Sequence, residues 1–254
     1  MNEPTPRAWG IFLEVFEALP RQGPGTRACA ARALALCRDL PPAPAVLDLG
    51  CGAGGQTLQL ADLTAGSIAA VDRIHSCVAR LARTVAERGL ARRIRPVVAD
   101  MTHPPFAPAC FDLVWSEGAL YNVGIENALR ACRPLLRPGG HLAFTDAVWR
   151  KADPPPEVKA CFDQDYPAMG RVEDVLAAIA RCGFSTLGHF TLPDEAWWDE
   201  FYTPMQRRLE ALRGRYANDG DALAVLDQIA AEPEMHSRYS DYYAYEFLVA
   251  HRDG

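Results

Sequence analysis

The sequence has no apolar run of about 18 residues, the length a membrane-crossing helix requires, so no membrane span is expected. Its first ten residues, MNEPTPRAWG, lack the basic-then-apolar order of a secretory leader. No two of its eight cysteines stand in a CxxC spacing, which removes the common zinc and redox motifs, and no metal ligand set is expected. Several, such as Cys29, Cys77 and Cys132, lie in apolar runs, as reduced thiols of a cytoplasmic protein do. An excess of positive charge is missing as well. The net charge of -6 repels a phosphate backbone, and the one arginine-dense stretch, Arg92, Arg93 and Arg95, is short and broken by Ile94. There is no internal repeat and no low-complexity tract, and the cluster Pro154 to Pro156 reads as a connector. What remains is a cytoplasmic globular protein with a small-molecule partner, no nucleic acid and no membrane. A homodimer is compatible with all of this.

What is present is a chain of 254 residues, 49% hydrophobic, long enough for one large core. From about residue 45 to 192, strand and helix patterns alternate. AVLDLG, SIAAVD, IRPVVAD, FDLVWS, GGHLAFTD and FSTLGHFTL read as strands, and YYAYEFLVAHR as a seventh. GGQTLQLADLT, HSCVARLARTVAERG, ENALRACRPLL and VEDVLAAIARCG read as the helices between them. This order predicts an α/β fold, a Rossmann-like seven-stranded mostly parallel sheet with helices on both faces. Residues 1–40 and 193–240 are helical additions and are expected to form a cap. The core then covers about 41–192 plus 241–254, and residues 1–254 make a single domain. In such a sheet ligands bind beyond the carboxyl ends of the strands, so the residues just after each strand are the ones to inspect.

The strongest local signal is VLDLGCGAGGQT, residues 46–57. Its glycines allow a tight strand-to-helix turn and close approach of the backbone to a ligand. Gly50, Gly52 and Gly55 form a GxGxxG, a pattern that a dinucleotide pyrophosphate also uses. Asp48 sits inside the turn, where a carboxylate repels a pyrophosphate but attracts a sulfonium or an ammonium group. That favours S-adenosyl-L-methionine, with S-adenosyl-L-homocysteine as its product, over a nicotinamide dinucleotide.

With this loop, Asp72 in AAVDR, Asp100 in VVADM, FDLVWSEGALYNVG and LLRPGGHLAFTD, the chain resembles the class I S-adenosylmethionine-dependent methyltransferases. Within them it is similar to the type 11 group, which includes the ubiquinone/menaquinone-biosynthesis C-methyltransferase-like proteins. RQGPG at 21–25, WSEGALYNVG and SDYYAYEFLVAHR extend the likeness to a bacterial small-molecule methyltransferase subgroup. The resemblance implies that Asp48 and the backbone of Gly50, Cys51, Gly52 and Gly54, with Gln56, face the methionine part of the cofactor. It implies Asp72 for the ribose hydroxyls, Arg73 and Ile74 beside the adenine, Asp100 and Met101 at the adenine edge, and Ser116 at the methionine end. Arg21 or Gln22 would reach the cofactor carboxylate or the substrate.

Methyl transfer is an in-line displacement, and it needs a base only where the acceptor must lose a proton. No universal catalytic residue can therefore be read off. The catalytic candidates are Glu117 and Tyr121, four apart after the fourth strand, and His236 in the cap. Asp146, Trp149, Tyr166, Trp197, Trp198, Tyr239 and Tyr242 are candidates to line the acceptor pocket. Two other readings share the glycine loop. One is an NAD-dependent oxidoreductase, disfavoured by Asp48 and by the lack of a clear Tyr-xxx-Lys pair. The other is a non-catalytic module that binds S-adenosylmethionine or S-adenosylhomocysteine.

Overall fold

The computed structural model describes residues 5–253. Seven strands form one sheet: β1 (Ala45–Leu49), β2 (Ser67–Asp72), β3 (Ile94–Val98), β4 (Phe111–Glu117), β5 (Leu136–Trp149), β6 (Phe184–Thr191) and β7 (Tyr243–Arg252). Their order is β3-β2-β1-β4-β5-β7-β6. β1 to β5 run parallel, and β7 lies antiparallel between β5 and β6. The short apolar runs of β1 and β4 are buried because helices cover both faces of the sheet. From β1 the chain winds outward through β2 and β3, then returns to β4 on the other side. The crevice between the carboxyl ends of β1 and β4 is therefore the topological switch point.

The helices are α1 (Pro6–Phe16), α2 (Arg27–Leu36), α3 (Gly55–Leu63), α4 (His75–Glu87), α5 (Ile125–Cys132), α6 (Pro156–Asp165), α7 (Val172–Arg181), α8 (Glu195–Trp197), α9 (Thr203–Arg215) and α10 (Gly220–Tyr239). One face of the sheet packs on α5 and α7, through Leu129, Ile179, Phe144 and Leu248. The other packs on α2, α3 and α4, through Ala33, Leu60, Leu81 and Trp115. A third cluster joins α1, α6 and α8 to α10 to Ala147 near the end of β5 and Tyr243 at the start of β7. These two strand ends lie at the carboxyl edge of the parallel strands, so this cluster covers that edge.

Three boundaries differ from the sequence reading. α2, grouped there with the cap, packs against α3, β6 and β7 on the sheet's face. The proline cluster is not only a connector, because Pro156 opens α6 at a first-turn position where a missing N–H costs nothing. β5 is longer than GGHLAFTD, because Leu136 pairs with Phe111 and Ala147–Trp149 continue the ladder with β7.

Candidate functional site

The glycine loop after β1 is held from below by β2. The amides of Gly50 and Cys51 both donate to the Val71 carbonyl, at 2.8 and 3.0 Å. Gly50 has φ +72° and Gly52 φ +51°, conformations that disfavour a side chain. A Cβ on Gly50 would stand 2.3 Å from the Ala119 Cβ, and one on Gly52 2.0 Å from Gln22 Oε1. Asp72 at the end of β2 accepts from the Gly52 amide at 2.9 Å and from the Ile74 amide at 2.8 Å. Its carboxylate thus braces the turn with both oxygens.

Asp48 is wholly buried in β1. Its Oδ2 accepts from Thr57 Oγ1 at 2.5 Å, and its Oδ1 has no partner. Burial pushes its pKa up to about 7; the Thr57 bond opposes this, and the Glu117 charge adds to it. Gln56 donates to the Gly50 carbonyl at 3.2 Å, which steadies the loop. Ser116 donates to the Leu49 carbonyl at 2.8 Å, so its hydroxyl proton ties β4 to β1. Cys51 is buried, and burial holds its thiol well above the usual pKa. Gly54 sits in the left-handed region with Leu81 against it.

The adenine-side candidates group at the outer edge. Arg73 and Ile74 line a recess of about 620 Å³ together with Trp9, Leu13, His75 and Ser76. Trp9, from α1, was not foreseen; a lone exposed tryptophan in an amphipathic helix has no local signature that separates binding from packing. Asp100 is exposed and accepts from the Thr102 amide and hydroxyl at 2.8 and 2.6 Å, bonds that lower its pKa. The Met101 methyl lies over Gly50, 3.5 Å from where a Cβ would be.

RQGPG lies directly over the loop. Gln22 Oε1 accepts from the Ala53 amide at 2.6 Å, and the Pro20 carbonyl abuts Gly55. Arg21 donates to Glu117 Oε2 at 2.5 Å and to Gln59 Oε1 at 2.9 Å, and Gln59 donates to Glu200 at 2.8 Å. The Gly25 amide reaches the Ala196 carbonyl at 2.9 Å. This segment therefore connects the end of β4 to the cap.

The three catalytic candidates fare differently. Glu117 pairs with Arg21, both side chains being 2% exposed, and its Oε1 accepts from Trp115 Nε1 at 2.8 Å. It is a charge held in a buried ion pair, not the free general base that its sequence position suggested. His236 stacks on Trp197 at 4.2 Å; its Nδ1 meets the Tyr243 hydroxyl at 3.0 Å and its Nε2 meets Asp194 at 3.2 Å. Burial lowers its pKa. Both nitrogens are engaged, and the ring is packed within the cap. Tyr121 is partly buried, 5.1 Å ring to ring from Tyr166, and packs against the cluster beneath the cap.

Of the acceptor-pocket candidates, Asp146, Tyr166, Trp149, Trp197 and Trp198 belong to or border the cluster beneath the cap. Tyr239 and Tyr242 also pack against that cluster, with Tyr239 bonded to Glu157 and Lys151 over the Tyr242 ring. Tyr202, Tyr243, Tyr245 and Glu232 were missed. The alternation in YAYEF could have placed Tyr243 and Tyr245 on one face. Among the described residues, no group of three or more His, Cys, Asp or Glu side chains is placed to hold a metal ion.

Strand order, glycine loop and strand-end acids together define the class I S-adenosylmethionine-dependent methyltransferase fold. Residues 46–140 match the family model described as a methyltransferase domain, and the chain carries that domain. It is 33% identical over 145 residues to methyltransferase GfsG of Streptomyces halstedii, covering 56% of this chain and 44% of the relative. The chain spans about half the length of the curated relatives it matches. A methyltransferase from Geobacter sulfurreducens, solved with S-adenosyl-L-homocysteine, superposes with a TM-score of 0.81 at 20% identity, over 95% of this chain and 97% of that one. The [4+2]-cyclase SpnF superposes with a TM-score of 0.75 at 23% identity, over 97% and 93%. No helix among the described residues is long and apolar enough to cross a membrane.

Proposed function

We propose that the protein transfers a methyl group from S-adenosyl-L-methionine to a small-molecule acceptor. The observation that carries this reading is the unpartnered, wholly buried Oδ1 of Asp48 beneath the glycine loop. A buried carboxylate oxygen without a donor is costly, and an ammonium or sulfonium group relieves it where a pyrophosphate would aggravate it. Asp48 and the backbone of Gly50, Cys51, Gly52 and Gly54, with Gln56 and Ser116, would face the methionine end. Asp72 suits the ribose. Arg73, Ile74 and Trp9, with Asp100 and Met101, suit the adenine.

The cofactor supplies an activated sulfonium methyl group when bound. The chain's own contribution is to position and to exclude water. The Arg21–Glu117 pair fixes the end of β4 and, through Gln59 and Glu200, the cap above it. Tyr121 faces the acceptor side. Glu117 and His236 move no proton in this scheme, which suits a displacement on an acceptor that arrives with a free lone pair.

A small molecule suits the net charge of -6 better than a nucleic acid. Cytoplasmic residence fits the eight free cysteines, and a homodimer would show in sedimentation. The engagement of Glu117 and His236 favours one second reading, a module that binds the cofactor without turning it over.

The test is calorimetric titration with S-adenosyl-L-homocysteine and, separately, NAD, on the protein and on Asp72→Ala. Binding of the homocysteine compound alone, weakened by the substitution, is the expected result. Binding of NAD alone overturns the reading, and an acceptor screen then separates enzyme from module.

A further inference from the structure

The arginines at 92–95, a short and broken stretch along the chain, are joined by the fold to others. Residues 73–95 hold seven arginines against one acid, Glu87, in a chain of net charge -6, so the remainder is twice as acidic as the whole. Six of the seven are exposed: Arg73, Arg80, Arg83, Arg88, Arg92 and Arg95. Among the described residues none of the six has a carboxylate within ion-pair distance, whereas the exposed Arg130, Arg137, Arg181 and Arg215 each have one.

The fold sets these charges in a line. α4 buries Cys77, Val78, Leu81 and Val85 against β2 and β3, which turns Arg80 and Arg83 outward. Its 13 residues span about 20 Å. Arg73 stands just before its first turn and lines the recess beside the crevice, and Arg88 closes its last turn. The turn that follows is held firmly. Arg93 donates to the carbonyls of Ala61, Thr64 and Gly66 at 3.0, 2.5 and 3.2 Å, and the Leu90 carbonyl accepts from the amides of Arg93 and Ile94. Arg92 sits in that turn, and Arg95 follows on β3, the edge strand.

We propose that this arginine line is a docking surface for an acidic segment of a partner protein, which lies along α4 with one end at Arg73, beside the crevice. Guanidinium groups pair with carboxylates through two parallel hydrogen bonds, and arginine is enriched in protein interfaces. A long polyphosphate suits the line less well, because beyond about 20 Å it would run over the acidic remainder of the chain. Residues 75–95 also contain no Phe, Tyr or Trp to stack on a base. A bilayer suits it less well too. The exposed residues between the arginines are small or charged, Ala82, Ala86, Glu87, Gly89 and Ala91, and none can wedge among lipids. Among the described residues the exposed large apolar side chains are Trp9 and Val98, and neither lies on α4.

The probe is a fluorescein-labelled oligoglutamate of about a dozen residues, a helix of which would match α4 in length. It is titrated into the full chain at low salt and followed by anisotropy. Arg80→Glu, Arg83→Glu and Arg88→Glu together should weaken binding about tenfold or more, since each exchange turns an attraction into a repulsion. Arg27→Glu, Arg38→Glu and Arg207→Glu, an equal charge change at exposed arginines off the line, should weaken it less than about threefold. Backbone amide shifts on adding the peptide should concentrate in 75–95. Absence of binding, an equal loss in the two triple variants, or shifts that fall elsewhere overturns the inference. So does tighter binding, through the same three arginines, of a thymidine oligonucleotide of equal length or of phosphatidylserine vesicles, because the line would then read phosphate. Both triple variants should bind S-adenosyl-L-homocysteine within about twofold of the parent. The docking inference does not rest on the methyltransferase reading, and the two fail separately.

Discussion

The crevice beyond β1 and β4 and the cap over the carboxyl edge of the sheet are built by different means. In the crevice, backbone sets the shape. Gly50, Cys51 and Gly52 lie within one turn, two of them at positive φ, and their amides are fixed by Val71 and Asp72. Under the cap, side chains do. Tyr121, Asp146, Tyr166, Trp197, Glu232 and Tyr245 come from separate segments and pack or bond between the cap and the sheet. A backbone site tolerates little local change. A side-chain site can change specificity one residue at a time without losing its frame.

The largest expected effect lies at the seam between the two. Arg21→Met leaves Glu117 charged, buried and unpaired, which costs about 3–5 kcal/mol. The thermal midpoint should fall steeply, and adding Glu117→Gln should recover most of the loss. Full stability in the single variant would mean that the two regions are not clamped by this pair.

Next comes Gly50→Val. The left-handed backbone and the collision with Ala119 together cost about 2–5 kcal/mol. Binding of S-adenosyl-L-homocysteine by calorimetry should drop more than about tenfold, and an unchanged affinity would remove the loop from the site.

Asp146 sharpens the comparison through pH. Burial raises its pKa from 3.8 to about 7, so the folded state favours its neutral form. The corresponding stability is complete below the unfolded value and is lost as pH rises through about 7. Melting curves across that range should therefore decline less in Asp146→Asn than in the parent. Parallel curves would show that the carboxyl is not desolvated. His236, with its pKa lowered by burial, acts in the opposite sense, because it loses stability as pH falls below the ordinary histidine value.

Asp72→Asn removes charge and keeps shape, so a loss of about 1–2 kcal/mol in cofactor binding is expected. His236→Gln should give the smallest functional change. It loses packing on Trp197 and the bond to Tyr243, for about 1–2 kcal/mol of stability, while turnover per folded molecule stays the same. A collapse of turnover in soluble, folded protein would restore His236 as a base.

Much of the crevice was legible because its determinants are local. Asp48 within β1, the glycines after it, Asp72 at the end of β2 and Asp100 after β3 belong to strands whose pattern is clear in AVLDLG, SIAAVD and IRPVVAD. The roles of Glu117 and His236 were not legible in the same way. Both are titratable and well placed along the chain, but whether a lone pair is free depends on what packs against it. Arg21 stands 96 positions from Glu117, and Asp194 stands 42 from His236. No periodicity spans such distances.

The sequence by itself determined the strand–helix order, the glycine turn and the acids at the strand ends, because these rest on backbone conformation and on patterns a few residues long. Only the tertiary structure decided that α2 lies on the sheet while α6 joins the cap. It also decided that Glu117 is already paired and that Asp48 and Asp146 each keep one buried carboxyl oxygen without a hydrogen-bond partner. Burial and partnership are properties of packed neighbours, and they exist only once distant segments have met.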